Sequence, residues 1–154
     1  MGYQCYICDG GAAFQIGPNL QTAPTVVNVN VPFTPEDNHI YLPPRLYLSV
    51  NAFVVTENKE RVTFLQMTTG RAHDIETKDI YQIIRLFPMD ERGSINWSFL
   101  FIAPDQCAEG IAKTQAASLK RFEVEGVKVD VEIGWMVAKD ESKNVFLVNF
   151  IVPS

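Results

Sequence analysis

Apolar and polar side chains alternate along much of this 154-residue chain. The clearest run lies near the C-terminus. There Val127, Val129, Val131, Ile133, Trp135 and Val137 take every second position, with Lys128, Asp130 and Glu132 between them. A two-residue period sends the two sets to opposite faces of a pleated strand. The polar run Lys139-Asp140-Glu141-Ser142-Lys143-Asn144 separates it from apolar residues 145–152. The pair predicts a long hairpin with one face in a core. Parity shifts at Gly126, because Phe122 and Val124 are even and the later run is odd. That shift predicts either a bulge or a tight turn at Glu125-Gly126.

The same alternation recurs upstream. Residues 25–31 alternate and stop at Pro32. Leu46, Leu48, Val50, Ala52 and Val54 alternate with Arg45, Tyr47, Ser49 and Asn51. The polar Glu57-Asn58-Lys59-Glu60 then turns the chain into residues 61–68, which predicts a second hairpin. Residues 80–87 are apolar on both parities, the pattern of a central strand covered on both faces. Residues 88–93 form a loop by composition. After it Ile95, Trp97, Phe99 and Phe101 share one strand face. Residues 3–8 are a shorter strand candidate.

One segment departs from the pattern. In residues 104–121, Ala108, Ile111, Ala112, Gln115, Ala116 and Leu119 fall near helical spacing. Asp105 suits the start of a helix and Lys120-Arg121 its negative end, so a single amphipathic helix is expected near residues 105–120. Residues 10–24 and 32–44 look irregular, the second with four prolines that cannot donate to a central ladder. About eight strands with short polar turns predict an antiparallel two-sheet β-sandwich crossed by that helix; the alternative is a closed antiparallel β-barrel. Residues 1–154 read as a single domain.

Composition adds limits. Hydrophobic residues make up 47% and charged residues 20%, values that suit a folded core and oppose disorder. The net charge is −5 and no Lys/Arg cluster appears, so nucleic acid is not an expected partner. No apolar run reaches the length of a membrane-spanning helix, and membrane association is not expected. The first residues lack the pattern of a secretory signal, and three cysteines make a poor disulfide framework. A soluble protein in a reducing, cytoplasmic setting is the expectation, with no cofactor.

Candidate chemistry is sparse. Cys5-Tyr6-Ile7-Cys8 has the spacing of half a zinc site, which only Cys107, His39 or His73 could complete. On a strand, however, Cys5 and Cys8 point to opposite faces, so no metal is expected. His73 in Gly70-Arg71-Ala72-His73-Asp74 could act as a base, or Arg71 could hold an anion, but no nucleophile accompanies them. The acidic pairs Glu36-Asp37, Asp90-Glu91 and Asp140-Glu141 read as surface turns without the alternating ligands of a calcium loop. Tyr41 and Tyr47 flank Pro43-Pro44-Arg45 and are the candidates for an exposed aromatic patch. Gly134 and Met136 interrupt the charged side of the C-terminal strand, so a helix or a second subunit should cover that place.

The expected function is a non-enzymatic interaction, assembly or structural module. It would act through an exposed sheet edge or an aromatic and proline-rich loop surface, on a protein partner or a second copy of itself. Tyr41, Tyr47, Arg71, His73 and Met136 are the candidate contact residues. A ligand-binding β-barrel is the alternative. A zinc-binding or hydrolytic protein using Cys5, Cys8, Cys107 and His73 is the third possibility.

Overall fold

A computed structural model describes residues 3–8, 14–17, 20, 25–44, 49–67, 75–103 and 107–137. The elements are β1 (Tyr3–Ile7), β2 (Phe14–Ile16), β3 (Thr25–Val26), β4 (His39–Leu42), β5 (Ala52–Thr56) and β6 (Arg61–Met67). They continue with α1 (Thr77–Ile84), β7 (Asn96–Ala103), α2 (Cys107–Leu119), β8 (Arg121–Val124) and β9 (Val127–Val137). The protein is mainly β. Its strands form one mixed sheet in the order β2-β1-β9-β7-β6-β5-β4-β3, with β8 paired to β9.

Two helical crossovers explain the mixture. α1 carries the chain from β6 to β7, and α2 leads from β7 through β8 to β9; β6, β7 and β9 are mutually parallel. Parallel neighbours require such long connections. The expected two-sheet antiparallel sandwich is therefore replaced by a single mixed sheet, and the barrel alternative fails because the sheet does not close. The expected helix is present as α2. The predicted central strand over residues 80–87 is instead α1 and the turns that follow it. Ile80, Ile83 and Ile84 are buried at helical spacing, and a short run apolar on both parities fits a buried helix as well as a strand.

Local chemistry sets the turns. Glu125 and Gly126 both have positive φ, so the parity shift is a two-residue hairpin turn. The predicted hairpin around residues 57–60 joins β5 to β6, with Glu57, Asn58 and Lys59 all at positive φ. The alternating segment 25–31 contributes only the short β3. The second strand of the predicted C-terminal hairpin, residues 145–152, lies outside the described residues.

Alternation divides the core into two clusters. Phe53, Val55, Phe64, Trp97, Phe99, Phe101 and Ile133 face Ile80, Ile83 and Ile84 of α1 and Ile111, Ala112 and Leu119 of α2. Both helices thus cover one face. Ala52, Val54, Leu65, Leu100, Ile102 and Met136 form the other face and pack with Cys5 of β1 and Ile16 of β2. The β1–β2 pair folds over that face: the Phe14 ring of β2 lies 4.1 Å from the Arg61 guanidinium of β6, four strands away in sheet order. The covering expected above Gly134 and Met136 is this hairpin, neither a helix nor another subunit. A Cβ at Gly134 would collide with the Tyr6 carbonyl oxygen, so glycine is what lets β1 cross there.

Candidate functional site

The residues singled out in the sequence do not converge. Tyr41, expected on an exposed patch, is buried; its ring stacks on Phe53 and His39, and its hydroxyl accepts the Glu36 N–H at 2.8 Å. Burial pushes the Tyr41 phenol above its ordinary pKa, the Glu36 backbone hydrogen bond opposes that, and the Glu36 charge adds to it. Met136 is buried beside Cys5 and Ile102. Tyr47, Arg71 and His73 lie outside the described residues, as do Asp140 and Glu141. Cys5 packs in one core cluster, while Cys8 and Cys107 border the other, and no disulfide joins them. Among the described residues no three His, Cys, Asp or Glu side chains gather as metal ligands.

A polar group that sequence reasoning missed sits under the β1–β2 hairpin. The β6–β7–β9 register lines up Thr63, Ser98 and Glu132 across three strands. Arg61, one pleat further along, donates from Nε to Glu57 at 2.6 Å and from Nη1 to Ser98 Oγ at 2.8 Å, with Glu132 at 3.4 Å. Two carboxylates, a hydroxyl and the Phe14 face therefore occupy the guanidinium. The group ties the hairpin to the sheet. Thr63 alternates with apolar Val62 and Phe64, a pattern that signals a strand face and gives no hint of the arginine.

A cleft opens at one end of the sheet, where three loops meet. The first is the proline-rich stretch after β3. Phe33 anchors it by edge contacts to Tyr41, Phe53 and Phe87, with ring centroids 5.0, 6.0 and 5.3 Å away. The second is the β5–β6 turn, held to the first because the Lys59 N–H donates to Asp37 Oδ1 at 3.1 Å. The third is the loop after α1, and Arg92 fixes it. Its Nε donates to the Phe87 carbonyl at 2.9 Å and its Nη2 to the Arg85 carbonyl at 3.0 Å. Its Nη1 lies 2.9 Å from Glu125 Oε1, an ion-pair contact outside good hydrogen-bond alignment. The Asn96 N–H donates to the Glu60 carbonyl at 2.7 Å and joins the third loop to the second.

The cleft holds about 420 Å³. Phe33, Pro35, Phe87, Pro88 and Ile95 supply apolar lining, and Thr34, Asn58, Lys59, Glu60, Glu91 and Ser94 supply polar lining. Exposed Val31 and Met89 stand next to it in sequence. Concave apolar surface with a few polar groups is what binding sites share. Three consecutive non-glycine residues at positive φ, Glu57 to Lys59, are costly conformations of the kind that collect at functional loops. A second hollow of about 260 Å³, lined by Arg92, Asn96, Lys128, Asp130 and Glu132 among others, is more polar.

Compared with known proteins, the chain matches no family model, no curated protein and no solved structure. No helix among the described residues is long and apolar enough to cross a membrane.

Proposed function

We propose that this protein is a binding module that grips an apolar side chain of a protein partner in the cleft between the proline-rich loop, the β5–β6 turn and the loop after α1. The observation that supports this reading is the cleft itself: apolar surface from Phe33, Pro35 and Ile95, open to solvent and surrounded by polar side chains. A pocket of this size accommodates a large side chain, and such anchors dominate peptide recognition. Peptides selected by display against the full chain test it. Those that bind should lose affinity at least about tenfold when Ser94→Arg fills the cleft, while the variant's thermal unfolding stays close to the parent's. Selected peptides indifferent to Ser94→Arg would remove the cleft from the function.

A second reading is assembly through β3, which ends the strand order among the described residues. Val26, Val29 and Val31 are exposed along the same segment that leads into Phe33. Light scattering on the parent and on Val26→Lys separates the two: a stable oligomer dissociated by that change would favour the edge.

A further inference from the structure

Building on the cleft as the binding surface, we infer that its occupant carries a cation: an arginine or lysine adjoining an aromatic or aliphatic residue in a partner's peptide segment. The inference comes from charge left unmatched at the cleft. Several acids elsewhere have local partners, while exposed Glu76, Asp90 and Glu123 form no ion pair among the described residues. Glu57 and Glu132 face Arg61, Glu125 faces Arg85 and Arg92, and Glu109 faces Lys113. Glu60 and Glu91 line the cleft and form no ion pair among the described residues.

Their placement matters as much as their charge. Glu60 belongs to the β5–β6 turn and Glu91 to the loop after α1, so the carboxylates stand on different walls. A cationic head between those walls meets acid from both, and its aliphatic stem lies along the apolar lining. Lys59 is the one cation of the lining, likewise without an ion pair among the described residues, so two carboxylates oppose one ammonium. The overall charge of −5 steers a basic segment in the same direction.

Three fluorescent peptides test this on the full chain by anisotropy at low salt. Each is acetylated and amidated, with the core Gly-Phe-Arg-Leu-Gly or with Gln or Glu in place of Arg. The Arg peptide should bind about fivefold tighter than the Gln peptide, and the Glu peptide should bind most weakly. That order should collapse in about 0.5 M salt and in Glu60→Gln/Glu91→Gln, which keeps binding of the Gln peptide. If all three bind the parent equally and Ser94→Arg abolishes all, the cleft stands and the cationic occupant is overturned. If none binds at millimolar concentration, or Ser94→Arg weakens none, the cleft reading falls and takes the inference with it.

Discussion

Ser49 and Asp79 are joined across 30 residues of sequence: the Ser49 N–H donates to Asp79 Oδ2 at 3.2 Å, while Ser49 Oγ accepts the Glu76 N–H at 2.6 Å. Ser49 thus ties the first turn of α1 to a distant part of the chain by tertiary contact. Glu76, the residue just before α1, makes no capping side-chain bond of its own. Both partners are buried, so neither orphaned group can turn to water.

Ser49→Ala should therefore destabilise the protein by about 1 kcal/mol, the usual worth of a cap. Asp79→Ala should cost more, about 2 kcal/mol, because it strands the buried Ser49 N–H. The double variant should lose about the sum, since the two changes remove different hydrogen bonds and alanine at position 49 keeps the N–H that Asp79 accepts. Urea unfolding of the four proteins measures this, and a large departure from additivity would show that the Ser49 hydroxyl and the Asp79 carboxylate act as one unit.

Gly134 makes a sharper prediction. Its missing Cβ is the space that the Tyr6 carbonyl fills, and the Leu100 side chain stands 3.0 Å from the same point. Gly134→Ala must push β1 off β9 or distort both, at about 2–3 kcal/mol. Cys5, a fully buried residue of β1, should then label faster with a thiol reagent. An unchanged labelling rate with unchanged stability would mean that β1 does not cross there.

What was legible in the sequence was what local pattern controls. The β9 alternation, the turn at Glu125-Gly126, the hairpin at residues 57–60 and the α2 helix all follow from residues within one element. The parallel order β6-β7-β9 does not, because it depends on which strand each crossover returns to. α1 was missed for a related reason. Ile80, Ile83 and Ile84 suit a helix, but the group that caps its start comes from Ser49, 27 residues upstream of Glu76.

Met136 shows the same limit from the other side. Its strand alternates with charge at Asp130 and Glu132, so its parity suggested an outward face. The hairpin above it comes from the other end of the chain and buries it. Met136→Glu would place an unpaired carboxylate in that core, and it serves as a probe of folding and not of self-association. The cleft was visible only as three separate loops. Nothing local in residues 33–35, 58–60 or 87–95 says that they meet.

Cys5 gives a pH dependence. Burial pushes its thiol from 9.0 up to about 12; the nearby Arg61 charge and a backbone hydrogen bond to Ile16 pull weakly the other way. The folded protein thus holds this proton more tightly than the unfolded chain does. The associated stability is fully present below pH 9.0 and is lost as pH rises toward about 12. The decline is bounded by one proton, about 1.4 kcal/mol per pH unit. Cys5→Ala should be less stable than the parent at neutral pH, and the gap should narrow as the solution becomes alkaline. A gap that is constant up to pH 11, about two units into that window, would show that the thiolate is not excluded by the fold.

Arg92 holds the cleft wall to the β8–β9 turn. It is buried, its guanidinium serves the Phe87 and Arg85 carbonyls, and its own carbonyl accepts Trp97 Nε1–H at 2.9 Å. Arg92→Ala leaves two carbonyls without their donor and Glu125 without its nearest cation, and should cost about 3 kcal/mol. Arg92→Lys should recover little, since one ammonium cannot reproduce a planar fork that reaches both carbonyls. Glu125→Gln should cost much less, because Glu125 is more than a third exposed and water replaces part of the lost pair. Urea unfolding orders the three variants. A mild Arg92→Lys would show that charge alone holds the wall, and the guanidinium geometry would then have no part in shaping the cleft.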